Sequence, residues 1–487
     1  MARPSPAVEH LLRRAGFGAT PEEGARFSRM TLPLAAAALT NFDPAKTDVD
    51  AKVGTVGYVG ITTRGGAFSP NTSITDARQR WLFRMVHSPA PLQEKMTLFW
   101  HHHFATAYSK IQGTVGGVDA TRLMATRQSQ DSTGMKGQIE LLREHALGNF
   151  RTLLVEIAKD PAMLYWLDGR LNVRARPQEN FGRELMELFT VGVEHYTEPD
   201  VYAAARVFTG WNLRVTGTAG TPTRHYEFLY NANQHDTNAK DFSFAIYSNG
   251  SQRIEARAAT SGMQDGLDLI AALAIHPETA KRMARRLWTW FVSEVDVPDP
   301  AFVDKISQTY LRNDTNMKPV IRAVLLSPQF MDKRRYYQRY AWPVEFVIRS
   351  LKEVGRVGFS VDGAITPLLN MGQQLFEPPD VNGWDIGPGW FSTGGMLARM
   401  NFAAALATNQ RFELQRQARD ASLSSPDALL AFVLARLSLP EPAASSRAAL
   451  LDYVRAGGTF TGTDAQLLNK TGGLFHLLTG SGEYQLV

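Results

Sequence analysis

The sequence predicts a mainly α-helical protein, a large multi-helical single unit with two helical lobes and a small β or loop insertion. Three observations predict it. Apolar residues recur at three- and four-residue spacing through most of the chain. Prolines stand where the first turns of several such segments would begin. One irregular region interrupts the pattern, and it divides the chain into lobes 1–211 and 261–487 around an insertion at 212–260.

The helical spacing is clearest in ten segments. In chain order they are 8–15, 91–104, 137–144, 150–159, 201–209, 280–292, 319–326, 343–354, 396–407 and 426–437.

Two regions lack helical spacing. Between about 216 and 251 the chain is rich in Gly, Thr, Pro and Asn, and aromatic residues alternate at Tyr226, Phe228 and Tyr230, which predicts a β-hairpin or a loop insertion. Residues 372–395 contain several Pro, Gly and Trp residues and read as a long loop. Because long loops in compact proteins are often functional, we expect this loop to close a cleft between the lobes.

The composition excludes several classes of protein. The 487 residues carry a net charge of only +5 with scattered Lys and Arg, which does not favour a nucleic-acid partner. The absence of cysteine excludes disulfides, thiolate metal sites, iron–sulfur clusters and a Cys nucleophile.

The sequence also carries an expectation about localisation. It begins without the apolar segment of a signal peptide, and it contains no apolar run long enough to span a membrane. We therefore expect a cytoplasmic protein, or one that is exported together with a partner.

The densest group of charges lies in segment 178–189. On a helix Glu179, Arg183 and Glu187 share one face, and Glu184 lies about 60° beyond Glu187. One interpretation is a solvated face on which Arg183 pairs with the glutamates four residues away. The other is a carboxylate pair, Glu184 and Glu187, that holds a divalent metal ion or exchanges protons.

Three consecutive histidines, His101, His102 and His103, stand between Trp100 and Phe104. In a continuous helix His101 and His103 point about 200° apart and cannot share a metal ion. If the helix ends here and the chain becomes extended, both face one side and form a metal clamp. The alternative is that they pack in the core.

Three further polar groups lie near the insertion. His235 and Asp236 provide either a metal ligand with an oriented base or only an Asx turn. Thr197 and Asp200 have the spacing of a helix-capping box, so we expect Asp200 to be structural. His195 is expected at the end of the preceding helix, where an imidazolium favours the helix dipole.

Short motifs are spread over almost the whole chain. They occupy 10–18, 99–104, 163–168, 179–189, 196–201, 209–211, 235–240, 281–292, 378–384 and 483–485. Together they resemble a large bacterial family catalogued as domain of unknown function 1800. Two positions depart from the family pattern, since Gln178 and His102 stand where the family usually has Asn. The resemblance implies a mainly helical fold, no established activity, and a partner protein similar to sulfatases and alkaline phosphatases.

These residues lead to a functional hypothesis. We expect a metal-dependent enzyme, a hydrolase acting on a polar, carbohydrate-like or anionic substrate through metal-activated water. The expected site residues are His101, His103 and His235 as metal ligands, Glu184 and Glu187 as ligands or proton carriers, and Arg183 and Asp236 as catalytic groups. Two alternatives remain open: an oxidative non-haem iron or copper enzyme, and a non-catalytic helical partner of an exported metallohydrolase.

Overall fold

The computed structural model describes residues 3–63, 66–356 and 358–487. It confirms the mainly α-helical fold, with two small two-stranded sheets in the described residues. No helix in the described ranges is long and apolar enough to cross a membrane. The division into two lobes at 211 and 260 stays a prediction.

Twenty-two α-helices form the described protein. The first eleven are α1 Pro6–Gly16, α2 Pro21–Phe27, α3 Leu32–Thr40, α4 Ile74–His87, α5 Pro91–His103, α6 Tyr108–Val115, α7 Gly117–Ala125, α8 Gln138–Glu144, α9 Phe150–Lys159, α10 Pro161–Trp166 and α11 Asn180–Glu184. The others are α12 Glu198–Val207, α13 Met263–Ile275, α14 Pro277–Leu287, α15 Pro300–Arg312, α16 Met317–Leu325, α17 Pro343–Val354, α18 Asp362–Asn370, α19 Thr393–Asp420, α20 Pro426–Arg436, α21 Ala444–Arg455 and α22 Asp464–Thr479.

Two of these helices continue into π-helical turns. Helix α11 runs on as Leu185–Phe189, and α14 runs on as Trp288–Val292. A π turn adds a residue to the helical turn and rotates the side chains that follow, and such turns often occur at functional sites.

The predicted β-hairpin is present. Strand β1 (Trp211–Thr216) pairs antiparallel with β2 (His225–Tyr230), so that Trp211 lies opposite Tyr230. It begins five residues earlier than the sequence indicated, because Trp211 is buried against aromatic neighbours. A second pair, β3 (Lys240–Asp241) and β4 (Arg253–Ile254), lies in the same irregular region.

Helix α5 is buried on every side and packs against α1, α4 and α8. Its buried lysine, Lys95, is neutralised in place by Glu345, which also binds Arg339. Its C-terminal end carries the three histidines into the interior of the protein.

Candidate functional site

Helix α11 and its π-helical continuation, Asn180–Phe189, are called the acidic helix below, and Arg183 on this helix is neutralised at the surface. It forms ion pairs with Glu179 (3.2 Å) and with Glu198 (2.8 Å). Glu187 instead accepts a hydrogen bond from the Tyr196 hydroxyl at 2.6 Å. The π turn begins between Arg183 and Glu187, and it breaks the regular i, i+4 spacing that would have paired them.

Glu184 is half-buried and has no hydrogen-bond partner among the described residues. Burial raises the pKa of Glu184, and the nearby Glu187 carboxylate raises it further against the opposing effect of Arg183. The two carboxylates therefore disfavour each other's charge, which either a proton or a cation would relieve.

His101 is enclosed by aromatic rings. Helix α5 extends through His103, so the extended geometry needed for a clamp between these two histidines does not occur. The rings of Trp81, Phe376 and Trp384 lie 5.3–5.8 Å from the His101 ring. Both of its nitrogens are buried without a polar partner, and burial lowers the pKa of His101 to about 3, so the ring is neutral.

His103 points to the other side of α5 and contacts the acidic helix through its backbone. Its Nε2 lies 3.1 Å from the carbonyl oxygen of Phe189, at the end of the π turn. Burial, together with Arg286 and Arg282, lowers the pKa of His103 well below its usual value. The structure thus brings His103 to the π turn that carries Glu187, but pairs it with a carbonyl group.

His235 belongs to a buried ionic cluster. Its Nδ1 lies 2.9 Å from the Thr209 carbonyl oxygen, and its Nε2 lies 3.3 Å from Asp265. Asp265 also binds Lys240 (2.5 Å) and Arg257 (3.2 Å). Burial acts to raise the pKa of Asp265, but hydrogen bonds from His235 and Lys240 outweigh it and lower that pKa.

Asp236 is held by the Arg206 guanidinium through two hydrogen bonds of 2.8 and 3.2 Å. Within residues 3–63, 66–356 and 358–487, no group of three or more His, Asp or Glu side chains is arranged to hold a metal ion.

The two remaining sequence predictions have opposite outcomes. Asp200 is structural as predicted, since it accepts hydrogen bonds from the backbone N–H groups of Thr197 and Ser243, both at 2.7 Å. The helix-end role predicted for His195 is wrong, because the preceding helix ends at Phe189.

Sequence reasoning missed a cavity of about 480 Å³ beside α14. We call it the arginine cavity; its lining includes His102, Arg282, Arg285, Arg286 and Trp290. The three arginines stand at i, i+3 and i+4 on one helix face. None of them has a carboxylate within ion-pair distance among the described residues, unlike most buried cations in this protein.

Arg286 carries the most unusual charge of this cavity. It is half-buried on the cavity wall, and its guanidinium makes no hydrogen bond within the described ranges. Burial and the neighbouring Arg282 lower the pKa of Arg286 to about 9. Arg282 itself donates only to the Leu188 carbonyl oxygen, at 3.2 Å, and its Nε is buried without a partner.

The loop 372–395 borders the same region, and its closing of a cleft between two lobes stays a prediction. The backbone N–H of Trp384 donates to Nδ1 of His102 at 3.1 Å. This close approach requires Gly383, whose φ is +90° and where a Cβ atom would lie 2.3 Å from the imidazole. A second cavity of about 260 Å³ shares His102 and Arg286 and is lined in part by this loop.

His195 lies on the wall of the arginine cavity. Its Nε2 is 3.4 Å from Glu278 Oε2, so an imidazole and a carboxylate are paired there.

One feature of the sequence indicates the arginine face of α14. Arg285 and Arg286 have no acidic residue three or four positions away, so a helix leaves them without local ion pairs.

Comparisons with known proteins identify the family. A family model described as "Protein of unknown function (DUF1800)" matches residues 10–486. No curated protein and no solved structure matches the chain. Four motif segments quoted above, 99–104, 179–189, 281–292 and 378–384, contribute residues to the two cavities. Because the match covers nearly the whole sequence, the protein belongs to the DUF1800 family.

Proposed function

We propose that the protein is a hydrolase whose substrate carries an anionic group, and that this group binds in the arginine cavity. The unpaired Arg286 is the observation that carries the proposal. A half-buried charge without a protein partner is incompletely solvated, and a bound anion supplies the missing partner. Arg282 and Arg285 on the same helix face add charge of the same sign.

The cavity suits a small organic molecule. A volume of about 480 Å³ falls within the range of small-molecule sites, which combine apolar walls with a few converging polar groups. Phe99, Trp290 and Trp342 supply the apolar wall, and the arginines supply the polar groups.

His195 is the proposed general base. An imidazole oriented by a carboxylate, as His195 is by Glu278, can take a proton from water. In the proposed reaction His195 removes a proton from water as the water oxygen attacks the substrate ester. The bond to the leaving oxygen of the ester breaks, and the proton held by His195 passes to the alcohol that leaves. The arginines hold the anionic group in place and stabilise the charge that develops on it.

Binding of inorganic sulfate and phosphate, measured by calorimetry, tests the anion site. Arg286→Gln keeps most of the side-chain volume and removes the charge, and we expect binding at least tenfold weaker. Arg322→Gln, at an exposed arginine on α16, is the matched control and should bind normally. Equal affinity of the two variants would refute the site.

Turnover of phosphate and sulfate esters tests the general base. We expect His195→Asn to lower kcat strongly and to leave sulfate affinity unchanged, because His195 is not a proposed ligand of the anion. Unchanged kcat in this variant would remove His195 from the mechanism and leave the binding site intact.

Metal-dependent hydrolysis is a second candidate, favoured by the pKa of Glu184. A divalent cation between Glu184 and Glu187 would relieve the repulsion that raises this pKa. Mg²⁺ in particular is commonly held by one or two carboxylates, with water and substrate oxygens completing its shell. This version drops His101, His235 and Asp236 as ligands or catalytic groups, since each is enclosed or bound elsewhere.

Elemental analysis of protein purified without chelators tests this candidate and identifies the metal, including the iron or copper of the oxidative alternative. Glu184→Gln and Glu187→Gln should lose the metal, whereas Glu179→Gln, at the exposed residue just before the same helix, should keep it. Metal retained equally in all three variants would exclude the carboxylate pair. A sulfatase-like or phosphatase-like partner, and export with it, stay predictions.

A further inference from the structure

We infer that His102 is a specificity-determining residue of the arginine cavity, where it donates its Nε2 hydrogen to an oxygen of the bound anion. This inference rests on the proposed anion site and adds a neutral donor to it. The donor restricts the ligand position next to His102 to an atom that accepts a hydrogen bond.

The backbone of the 372–395 loop fixes the tautomer of the His102 imidazole. The Trp384 N–H points at His102 Nδ1, at 3.1 Å, so Nδ1 must supply a lone pair. The hydrogen of a neutral ring then resides on Nε2. The arrangement depends on Gly383, since any side chain there would collide with the imidazole.

The surroundings keep the ring neutral and in place. Burial, followed by the nearby Arg286, lowers the pKa of His102 well below its usual value. The ring meets the Trp342 indole edge-on, with centroids 5.1 Å apart, and lies parallel to Trp290 at 6.4 Å. These contacts leave little freedom for the imidazole to turn over.

Of the three adjacent histidines, His102 is the one that offers a nitrogen to the cavities. Both nitrogens of His101 are buried, and Nε2 of His103 is occupied by the Phe189 carbonyl oxygen. Nε2 of His102 has no hydrogen-bond partner among the described residues and is not buried, and the ring lines both cavities.

The chemistry of the ligand follows from this set of donors. Arg282, Arg286 and His102 can donate hydrogen bonds at this end of the cavity, and none of them can accept one. A fully deprotonated oxyanion, such as a sulfate or phosphate ester or a carboxylate, satisfies all three. A ligand that presents an N–H or an ammonium group here would meet only donors.

Two substitutions of different chemistry test the inference with inorganic sulfate as the probe. His102→Asn preserves an acceptor for the Trp384 N–H and a donor towards the cavity, and we expect sulfate affinity within about threefold of the wild type. His102→Asp also accepts from Trp384 but presents a second acceptor to the anion, and we expect binding at least about tenfold weaker. His476→Asp, at a histidine that lines neither cavity, is the control.

The failures of the two proposals are distinguishable. If His102→Asp binds sulfate like the wild type while Arg286→Gln does not, the role of His102 is wrong and the anion site stands. If Arg286→Gln also binds normally, the anion site itself is wrong. Magnetic resonance of nitrogen-labelled histidine in the wild-type protein gives an independent readout that needs no variant: the inference requires the Nε2–H tautomer, and a hydrogen on Nδ1 of His102 would overturn it.

Discussion

Two arginines, Arg183 and Arg286, stand at the same kind of place, just before a π turn, and in opposite electrostatic states. Arg183 is partly exposed and has two carboxylate partners, Glu179 and Glu198. Arg286 is partly exposed too, and within the described residues it has none. The sequence concentrates charges on the acidic helix, and there the arginine is neutralised by its neighbours. A candidate site is better located where neutralisation is missing.

The same contrast holds between two buried clusters. Around Asp265 one carboxylate serves His235, Lys240 and Arg257, and the cluster is closed to ligands. On α14, Arg282, Arg285 and Arg286 have no such carboxylate among the described residues, whereas Lys281 pairs with Glu278. The first cluster fixes structure, whereas the second keeps its electrostatic potential available for a ligand.

Asp265→Asn should have the largest effect on stability. Removing the carboxylate leaves several buried donors and cations without a partner, so we expect the free energy of unfolding to fall by about 3–5 kcal/mol. Urea unfolding measures it, with Asp304→Asn on the exposed face of α15 as the control. Similar losses in the two variants would mean that the buried cluster is not structural.

His101→Phe should change the pH dependence of stability. The pKa of His101 is about 3 in the folded protein and near 6.5 in an unfolded chain, so the unfolded state binds the extra proton. Its contribution to stability is therefore complete above about pH 6.5 and is lost progressively as the pH falls towards 3. At pH 5 the stability already lost is about 2 kcal/mol for one histidine.

The stability of His101→Phe should not fall in this way as the pH is lowered, because Phe has no proton to take up. Phe also suits the aromatic enclosure. Urea unfolding at neutral pH and at pH 5 compares the two proteins. A variant that is less stable at neutral pH and has also lost a bound metal would restore His101 as a ligand.

Much of the helical architecture could be predicted from the sequence, because residues within each helix indicate where it begins and which face is apolar. The segment predicted at 343–354 is helix α17 with the same bounds, since Pro343 marks its first turn and the apolar spacing continues to its end. Helix α19 was predicted at 396–407 but runs over Thr393–Asp420. Its second half is rich in charged and polar residues, so the apolar spacing gave no signal there.

The candidate site, in contrast, is formed by residues that lie far apart in the sequence. The acidic helix was correctly placed on a helix, but the π turn that separates Glu187 from Arg183 leaves no mark in the pattern of apolar residues. The arginine cavity needs the end of α5, the face of α14 and the loop 372–395 to meet. The tautomer of His102 depends on the backbone of Trp384, far along the chain. Only the tertiary fold determines which charges find partners.

The smallest expected effects come from a matched pair, Arg286→Met and Arg183→Met, which compares the two arginines directly. Without added anions, Arg286→Met should be more stable than the wild type by about 1 kcal/mol, because a half-buried charge without an ion-pair partner is replaced by an apolar side chain. Arg183→Met should change stability little, because its carboxylate partners remain in water.

Sulfate should then reverse the order for Arg286, since only the wild type gains the free energy of binding. Sulfate also stabilises folded proteins in general, so the comparison is made against Arg183→Met in the same salt. A loss of stability in Arg286→Met without anions would show that the guanidinium is satisfied by the protein itself, and the contrast between the two arginines would disappear.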